Sequence, residues 1–292
     1  MIDFEREDIR PFADIWNTRP PSPMRQTKES WDKRADRWAE NLKDMGSFKS
    51  SSDARIAEAV KFLQDHGQLT PEQDVVDLGC GPGQFAMAFA PHVHHVTGVD
   101  LSDSMVKHAA EFAAEAGLDN VDFRSLNFNE ADIDALGWRE RFDLVFASIT
   151  PAVSTLKDVQ NMMAMSRGWC YYGGFRSRVH EVEYRVAHEL YNMEPPMMKK
   201  DGKSTYGLFN MLWLSGYNPF VHFYYDGYEE TRPADREHAH QLADRLGLHD
   251  DPDREADKIL RFLESIADED GIVHSEYRQS YAWLLWDMKK VR

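Results

Sequence analysis

Cysteine is nearly absent from this chain. Only Cys80 and Cys170 occur among 292 residues, too few for a disulfide framework. Long apolar runs are missing as well. No stretch approaches the ~18 consecutive apolar residues that a membrane span needs. The opening residues 1–8 are acidic, with no apolar core of a signal peptide. A cytoplasmic protein without membrane contact is expected. Positive charge is also short: 34 basic residues face 50 acidic ones, a formal net charge of −16. Such a surface repels phosphate backbones, and no run of Lys and Arg offers a local exception, so a nucleic acid partner is not expected. What the chain does have is apolar mass, with 42% hydrophobic and 12% aromatic residues. That is enough for a sizeable core, and the length suits one core domain with additions.

Residues 1–26 are rich in proline (Pro11, Pro20, Pro21, Pro23) and read as an extended arm. Trp31, Ala35, Trp38, Ala39 and Leu42 recur at helical spacing, which predicts an amphipathic helix over 28–45. The stretch Gly46–Ser52 has linker composition and would serve as a hinge. A helix from about Asp53 to His66 follows. Then strands and helices alternate. Apolar strands are expected at 75–78, 95–100, 121–126, 142–148 and 169–175, with helices around 85–89, 102–116 and 157–165 between them. This rhythm means βαβ units and a mostly parallel sheet. Beyond 176 the pattern loosens: a helix over 179–191, an aromatic-rich segment over 206–228 turning into a strand near Pro219, a helix over 252–267, and a final strand over 272–286 that continues into a short helix.

The strongest signal is Asp77-Leu78-Gly79-Cys80-Gly81-Pro82-Gly83, directly after the first strand, with Asp100 ending the next strand. Glycines let the chain turn sharply and let a ligand approach the backbone. A following helix start favours an anionic group. A carboxylate at the end of the second strand can accept from both hydroxyls of a ribose. The turn reads G-x-G-x-G, so its third glycine falls one residue early for the dinucleotide fingerprint. It resembles instead motif I of the class I S-adenosylmethionine (SAM)-dependent methyltransferases, and the resemblance runs from about 72 to 175.

That resemblance implies a Rossmann-like α/β fold with a seven-stranded, mostly parallel sheet of order 3-2-1-4-5-7-6, the seventh strand antiparallel, and helices on both faces. It implies SAM as cofactor and S-adenosylhomocysteine as product. Carried over by position, Asp77, Gly79, Cys80, Gly81 and Gly83 form the SAM loop, and Asp100 holds the ribose. Leu101 and Met105 pack near the adenine or ribose, Asn127 meets the adenine amino group, Phe128 flanks the ring, and Ser148 lies at the active-site end of the fourth strand. Here the chain reads Ser148-Ile149-Thr150-Pro151. Enzymes that methylate amino groups of nucleic acids and proteins have Asn/Asp-Pro-Pro-Tyr there, and the departure removes the best argument for such acceptors.

The domain expectation is an arm and cap helix over 1–52 and a methyltransferase domain over 53–292, in which 176–228 covers the substrate side. Trp31, Trp38, Thr150, Tyr206, Trp213 and Tyr217 are candidates for the acceptor pocket and its lid. His180, His188 and His222 are candidate bases, needed only if the acceptor must lose a proton. His92, His94 and His95 read as a solvated loop, His180 and His188 stand two helical turns apart, and no metal is expected. The reading that results is methyl transfer to a small-molecule acceptor by a monomer or homodimer. A SAM-binding regulatory protein and a protein methyltransferase are the alternatives.

Overall fold

The computed structural model describes residues 1–17, 27–33, 35, 47–195 and 202–289. Seven strands form one sheet: β1 (Asp74–Leu78), β2 (His95–Asp100), β3 (Val121–Ser125), β4 (Phe142–Ser148), β5 (Ser166–His180), β6 (Phe220–Pro233) and β7 (Ile272–Asp287). Their order is β3-β2-β1-β4-β5-β7-β6, as expected. β1 pairs in parallel with β2 and β4, β2 with β3, and β4 with β5. β7 runs against β5: Met288 N donates to Gly168 O, while Ser177 Oγ meets Ser280 Oγ, so residue numbers fall on one strand as they rise on the other.

The chain divides into two compact units. The first comprises 1–174, 203–224 and 282–292, and the second 175–202 and 225–281. In the first, Val75, Val76 and Leu78 of β1 are fully buried, which is why this strand reads as a continuous apolar run. One face of its sheet carries an aromatic stack. Phe146 lies against Phe85 and Phe89 at 4.9 Å each and against Tyr171 at 4.3 Å. These rings tie α3 (Gln84–Phe89) to β4 and β5. Phe62 of α2 (Ser47–Asp65) joins them through Tyr171. The other core cluster of this unit holds Trp16 of α1 (Arg10–Asn17), Met162 and Met163 of α5 (Leu156–Met165), and Leu208 and Met211 of α7 (Lys203–Leu214). Burying each such side chain contributes roughly 1.5–3 kcal/mol. The second unit builds its own core from Val182 and Val186 of α6 (Glu181–Tyr191), Leu242 and Leu246 of α8 (Arg236–Leu246), and Ile259 and Leu263 of α9 (Pro252–Ile266).

Several local expectations need correction. The arm is not wholly irregular. Pro11 is the second residue of α1, where its missing N–H costs nothing, and the burial of Ala13 and Trp16 holds the helix. The presumed hinge residues Ser47–Ser52 are the first residues of α2. Serine is a weak helix former rather than a breaker, and the apolar face of Ile56, Ala59 and Leu63 carries the helix through it. β7 stays a strand to Asp287. Residues 28–33 and 35 are helical; the rest of the stretch expected as a helix over 28–45, with Trp38, lies outside the described residues.

Candidate functional site

The turn after β1 is built by left-handed glycines. Gly79, Gly81 and Gly83 have φ of +69°, +54° and +81°, conformations that other residues adopt only at a cost. The N–H groups of Gly79 and Cys80 both donate to Val99 O, at 2.7 and 2.9 Å, which fixes the turn to the end of β2. Asp100 then locks it. Its Oδ2 accepts from Gly81 N and its Oδ1 from Ser102 N, each at 2.9 Å. Burial raises the Asp100 carboxyl above its ordinary value, against these backbone donors. A carboxylate has about four lone-pair sites, so the two bonds leave acceptor capacity for a ribose. The bond to Gly81 gives Asp100 a second task, shaping the turn, that sequence spacing alone does not announce.

Asp77 is 2% exposed. It accepts from the backbone of Ala86 in the first turn of α3, while burial and then the negative charge of Asp100 push its carboxyl up to about 8. Its Oδ2 has no hydrogen-bond partner. A buried acceptor left unmade costs about 1–3 kcal/mol, and an ammonium group would satisfy it in both charge and hydrogen bonding. Above Gly81 there is open space, since a Cβ built there meets nothing within 4 Å. The ammonium and carboxylate of a bound amino acid moiety, with an attached ribose, fit an orphaned acid, an open backbone and a strand-end carboxylate. Cys80 is buried and its thiol is raised well above the ordinary value, by burial and then by Asp77 and Asp100, so it stays a neutral thiol and no nucleophile.

The raised Asp77 carboxyl makes a prediction with a fixed sign. The unfolded chain releases this proton near pH 3.9, whereas the folded chain holds it up to about pH 8. Across that window the unfolded state binds fewer protons, so the folded state loses about 1.4 kcal/mol per pH unit through this one group. The contribution is fully present below the window and lost as pH rises through it. Asp77→Asn does not titrate. Its melting temperature should therefore gain on that of the parent chain by roughly 2–4 °C per pH unit between pH 5 and pH 8. A difference in thermal midpoint that stays constant with pH would contradict this account of Asp77.

The loop after β4 closes on the same turn. A Cβ on Gly79 would lie 1.8 Å from Thr150 Oγ1, so Thr150 is packed directly against the glycine. Thr150 Oγ1 also accepts from Ala152 N at 3.1 Å. Between Ser148 and Thr150, Ile149 takes φ +53° and donates its N–H to Gly173 O at 2.8 Å. A β-branched residue in the left-handed region is strained, and such strain clusters at functional sites. No local sequence signal marks this one.

The remaining candidates divide by location. Met105 is buried, with its N–H on the Ser102 cap of α4 (Asp103–Glu115). Leu101, Asn127 and Ser148 are half-buried, whereas Phe128 is buried in the first unit's core. Phe123, unmentioned by the motif, fills the space over Gly98 and Gly83. Half-buried Trp31 precedes Asp32, whose Oδ1 binds Ser102 Oγ at 2.5 Å and accepts from Ser104 N at 3.2 Å. The Ser102 hydroxyl, foremost, holds the Asp32 carboxyl below its usual range. Lys28 pairs with Asp103 beside it. Residues 28–32 are thus fastened to the segment that follows Asp100. Tyr206 and Trp213 are exposed on α7, while Tyr217 is fully buried in the core. His222 stacks on Trp283 at 4.9 Å, and its Nε2 is 3.4 Å from Glu58. His180 and His188 belong to the second unit, paired with Glu230 and Glu194. His94 and His95 pair separately with Asp74 and Asp122. Among the described residues no group of three or more His, Cys, Asp or Glu could hold a metal ion, and no helix is long and apolar enough to cross a membrane.

Comparison with known proteins finds a methyltransferase domain around this turn. Residues 75–174 match the family model for a methyltransferase domain. The 23S rRNA (uracil(1939)-C(5))-methyltransferase RlmD of Photobacterium angustum is 36% identical over 91 residues, 31% of this chain and 39% of that protein. The uncharacterized methyltransferase YcgJ of Bacillus subtilis is 40% identical over 73 residues, 23% of this chain and 29% of that protein. The chain thus spans less than half the length of these curated relatives. In fold it is similar to magnesium protoporphyrin IX methyltransferase from Synechocystis with S-adenosylhomocysteine bound, at a TM-score of 0.50 and 12% identity, covering 94% of this chain and 99% of that one. Residues 75–174 are thus similar to a methyltransferase domain, and the glycine turn and Asp100 lie within that stretch.

Proposed function

We propose that the chain transfers the methyl group of SAM to a small-molecule acceptor. The observation that carries this reading is the cradle at the end of β1 and β2: an orphaned Asp77 oxygen, open space over Gly81 and a carboxylate at Asp100. The bound sulfonium supplies the leaving group. An acceptor lone pair forms the new bond to carbon, the carbon–sulfur pair stays on sulfur, and S-adenosylhomocysteine leaves. The protein's part is to align donor and acceptor and exclude water. In this reading Asp77, Gly79, Cys80, Gly81, Gly83 and Asp100 hold the cofactor, with Leu101, Met105, Asn127, Phe128 and Ser148 around it. Thr150 and Trp31 stand on the acceptor side, where residues 28–33 form a lid.

A small acceptor is favoured by the net charge of −16 and by the segment fastened over 102–104. An RNA acceptor is the second reading, because relatives such as RlmD of Photobacterium angustum are named for one. The shared stretch is only 31% of this chain, however. Incubating the chain with methyl-labelled SAM and a cell extract, then separating small molecules from RNA and protein, tests the proposal. Label in the small-molecule fraction is expected, and label confined to RNA or protein would overturn it. Anisotropy with ribosomal RNA should likewise show no affinity that falls steeply with salt.

The lid has its own test. Asp32→Ala removes two hydrogen bonds to a carboxylate. Local opening should rise about tenfold or more, the scale for such bonds, so amide exchange over 28–33 and 102–104 should quicken and turnover should fall with little change in thermal midpoint. Unchanged exchange and unchanged turnover would show that this segment is only packing.

A further inference from the structure

The second unit contains a pocket of about 310 Å³, lined among others by Arg178, His180, Tyr228, Glu230, Arg245 and Tyr277. Every residue lining it belongs to that unit. None is part of the cofactor cradle, and no motif of the methyltransferase domain reaches it, since the family match ends at residue 174.

Most of the charges around this pocket are already engaged. His180 Nδ1 accepts from Glu183 N at 3.2 Å, so the ring proton sits on Nε2 and is donated to Glu230 Oε2 at 2.8 Å. That bond, foremost, holds the Glu230 carboxyl below its usual range. Glu183 faces Arg245 at 3.9 Å. Arg178 is different. Its guanidinium lies over the Phe175 ring at 4.6 Å and beside the Tyr277 ring at 5.6 Å. Its Nε is buried and has no hydrogen-bond partner among the described residues. Stacking occupies the faces of the guanidinium and leaves the in-plane N–H edge for a ligand. That edge is a rigid fork whose geometry matches a planar oxyanion. Burial raises the phenols of Tyr228 and Tyr277 above their ordinary range, so both remain hydrogen-bond donors at neutral pH. The two rings stack at 4.8 Å and give the pocket a flat apolar wall.

We propose that this pocket binds a small, flat carboxylate, gripped through the edge of Arg178 and laid against Tyr277. The volume is at the lower end of the range of about 300–1,000 Å³ for small-molecule pockets, too small for a peptide segment. The site is independent of SAM binding, and its occupant is a second ligand of the chain.

Calorimetry or ligand-observed NMR on the full chain tests this with four probes: benzoate, its neutral analogue benzamide, succinate and inorganic phosphate. Benzoate should bind, and benzamide should bind at least about tenfold more weakly because it lacks the charge that Arg178 answers. Arg178→Lys keeps the charge and loses the fork, and should weaken benzoate about tenfold. Arg178→Met should abolish its binding. S-adenosylhomocysteine should bind both variants as it binds the parent, which also shows that they are folded. Equal binding of benzoate and benzamide, or benzoate binding that survives Arg178→Met, would overturn the proposal. Tighter binding of phosphate than of either carboxylate would overturn the assigned ligand class, and competition between benzoate and S-adenosylhomocysteine would overturn the independence of the site.

Discussion

Gly79→Ala should destabilise the chain by about 2–5 kcal/mol, whereas Gly81→Val should leave it folded and unable to hold SAM. The two glycines stand two residues apart in the same left-handed turn, at φ +69° and +54°, so backbone strain of roughly 1–2 kcal/mol is common to both substitutions. What surrounds the added carbon differs. At Gly79 a Cβ comes within 1.8 Å of Thr150 Oγ1 and 2.8 Å of Thr150 Cβ, so the turn after β1 and the loop after β4 must move apart. Overpacking of this kind adds about 1–3 kcal/mol. At Gly81 a Cβ meets nothing within 4 Å, and the proposed cofactor site occupies that space. Thermal unfolding and SAM titration of the two variants should therefore rank them oppositely. Thr150→Ala removes the nearer clashing atom and should restore part of the stability of Gly79→Ala while doing nothing for Gly81→Val. Equal losses of stability and of SAM affinity in the two variants would mean that the open space over Gly81 is not where the cofactor goes.

The same contrast shows what a sequence can and cannot convey. The alternation of strands and helices and the glycine turn were legible because they are local, whereas the strand order came only with the family resemblance. β1 is an apolar run bounded by glycines, and the acid ending β2 falls at a fixed spacing from them. The bond from Gly81 N to Asp100, the contact of Gly79 with Thr150 and the left-handed Ile149 join residues that are distant in the chain or depend on such a junction. No pattern announces them. α1 was hidden by Pro11, whose composition says loop although its place in the first turn permits a helix. The start of α2 was hidden by its serines, since helix formation there is decided by packing further along. Aromatic density over 206–228 could be plain core or a pocket wall. It divides into exposed Tyr206 and Trp213, buried Tyr217, and alternate exposure along β6, where Phe223 and Tyr225 face outward. The second unit carries little signal of its own because β5, β6 and β7 feed both units. Its pocket is assembled from side chains on five separate stretches of chain.

The most direct test of the account is the affinity of SAM for Asp100→Ala, measured by calorimetry beside the parent chain. Asp100 links β2, the glycine turn and the cap of α4 through Gly81 N and Ser102 N, and in the proposed site its remaining lone pairs accept from the ribose. Losing hydrogen bonds to a charged group costs about 1.5–3 kcal/mol, which is roughly 10- to 150-fold in dissociation constant. The released Gly81 loosens the turn as well. Removal of one negative charge beside Asp77 acts in the other direction on stability, since Asp100 is the second cause of the raised Asp77 carboxyl. The variant should therefore remain folded while its SAM affinity falls by that factor. A folded Asp100→Ala chain that binds SAM as tightly as the parent would contradict the placement of the cofactor at this turn.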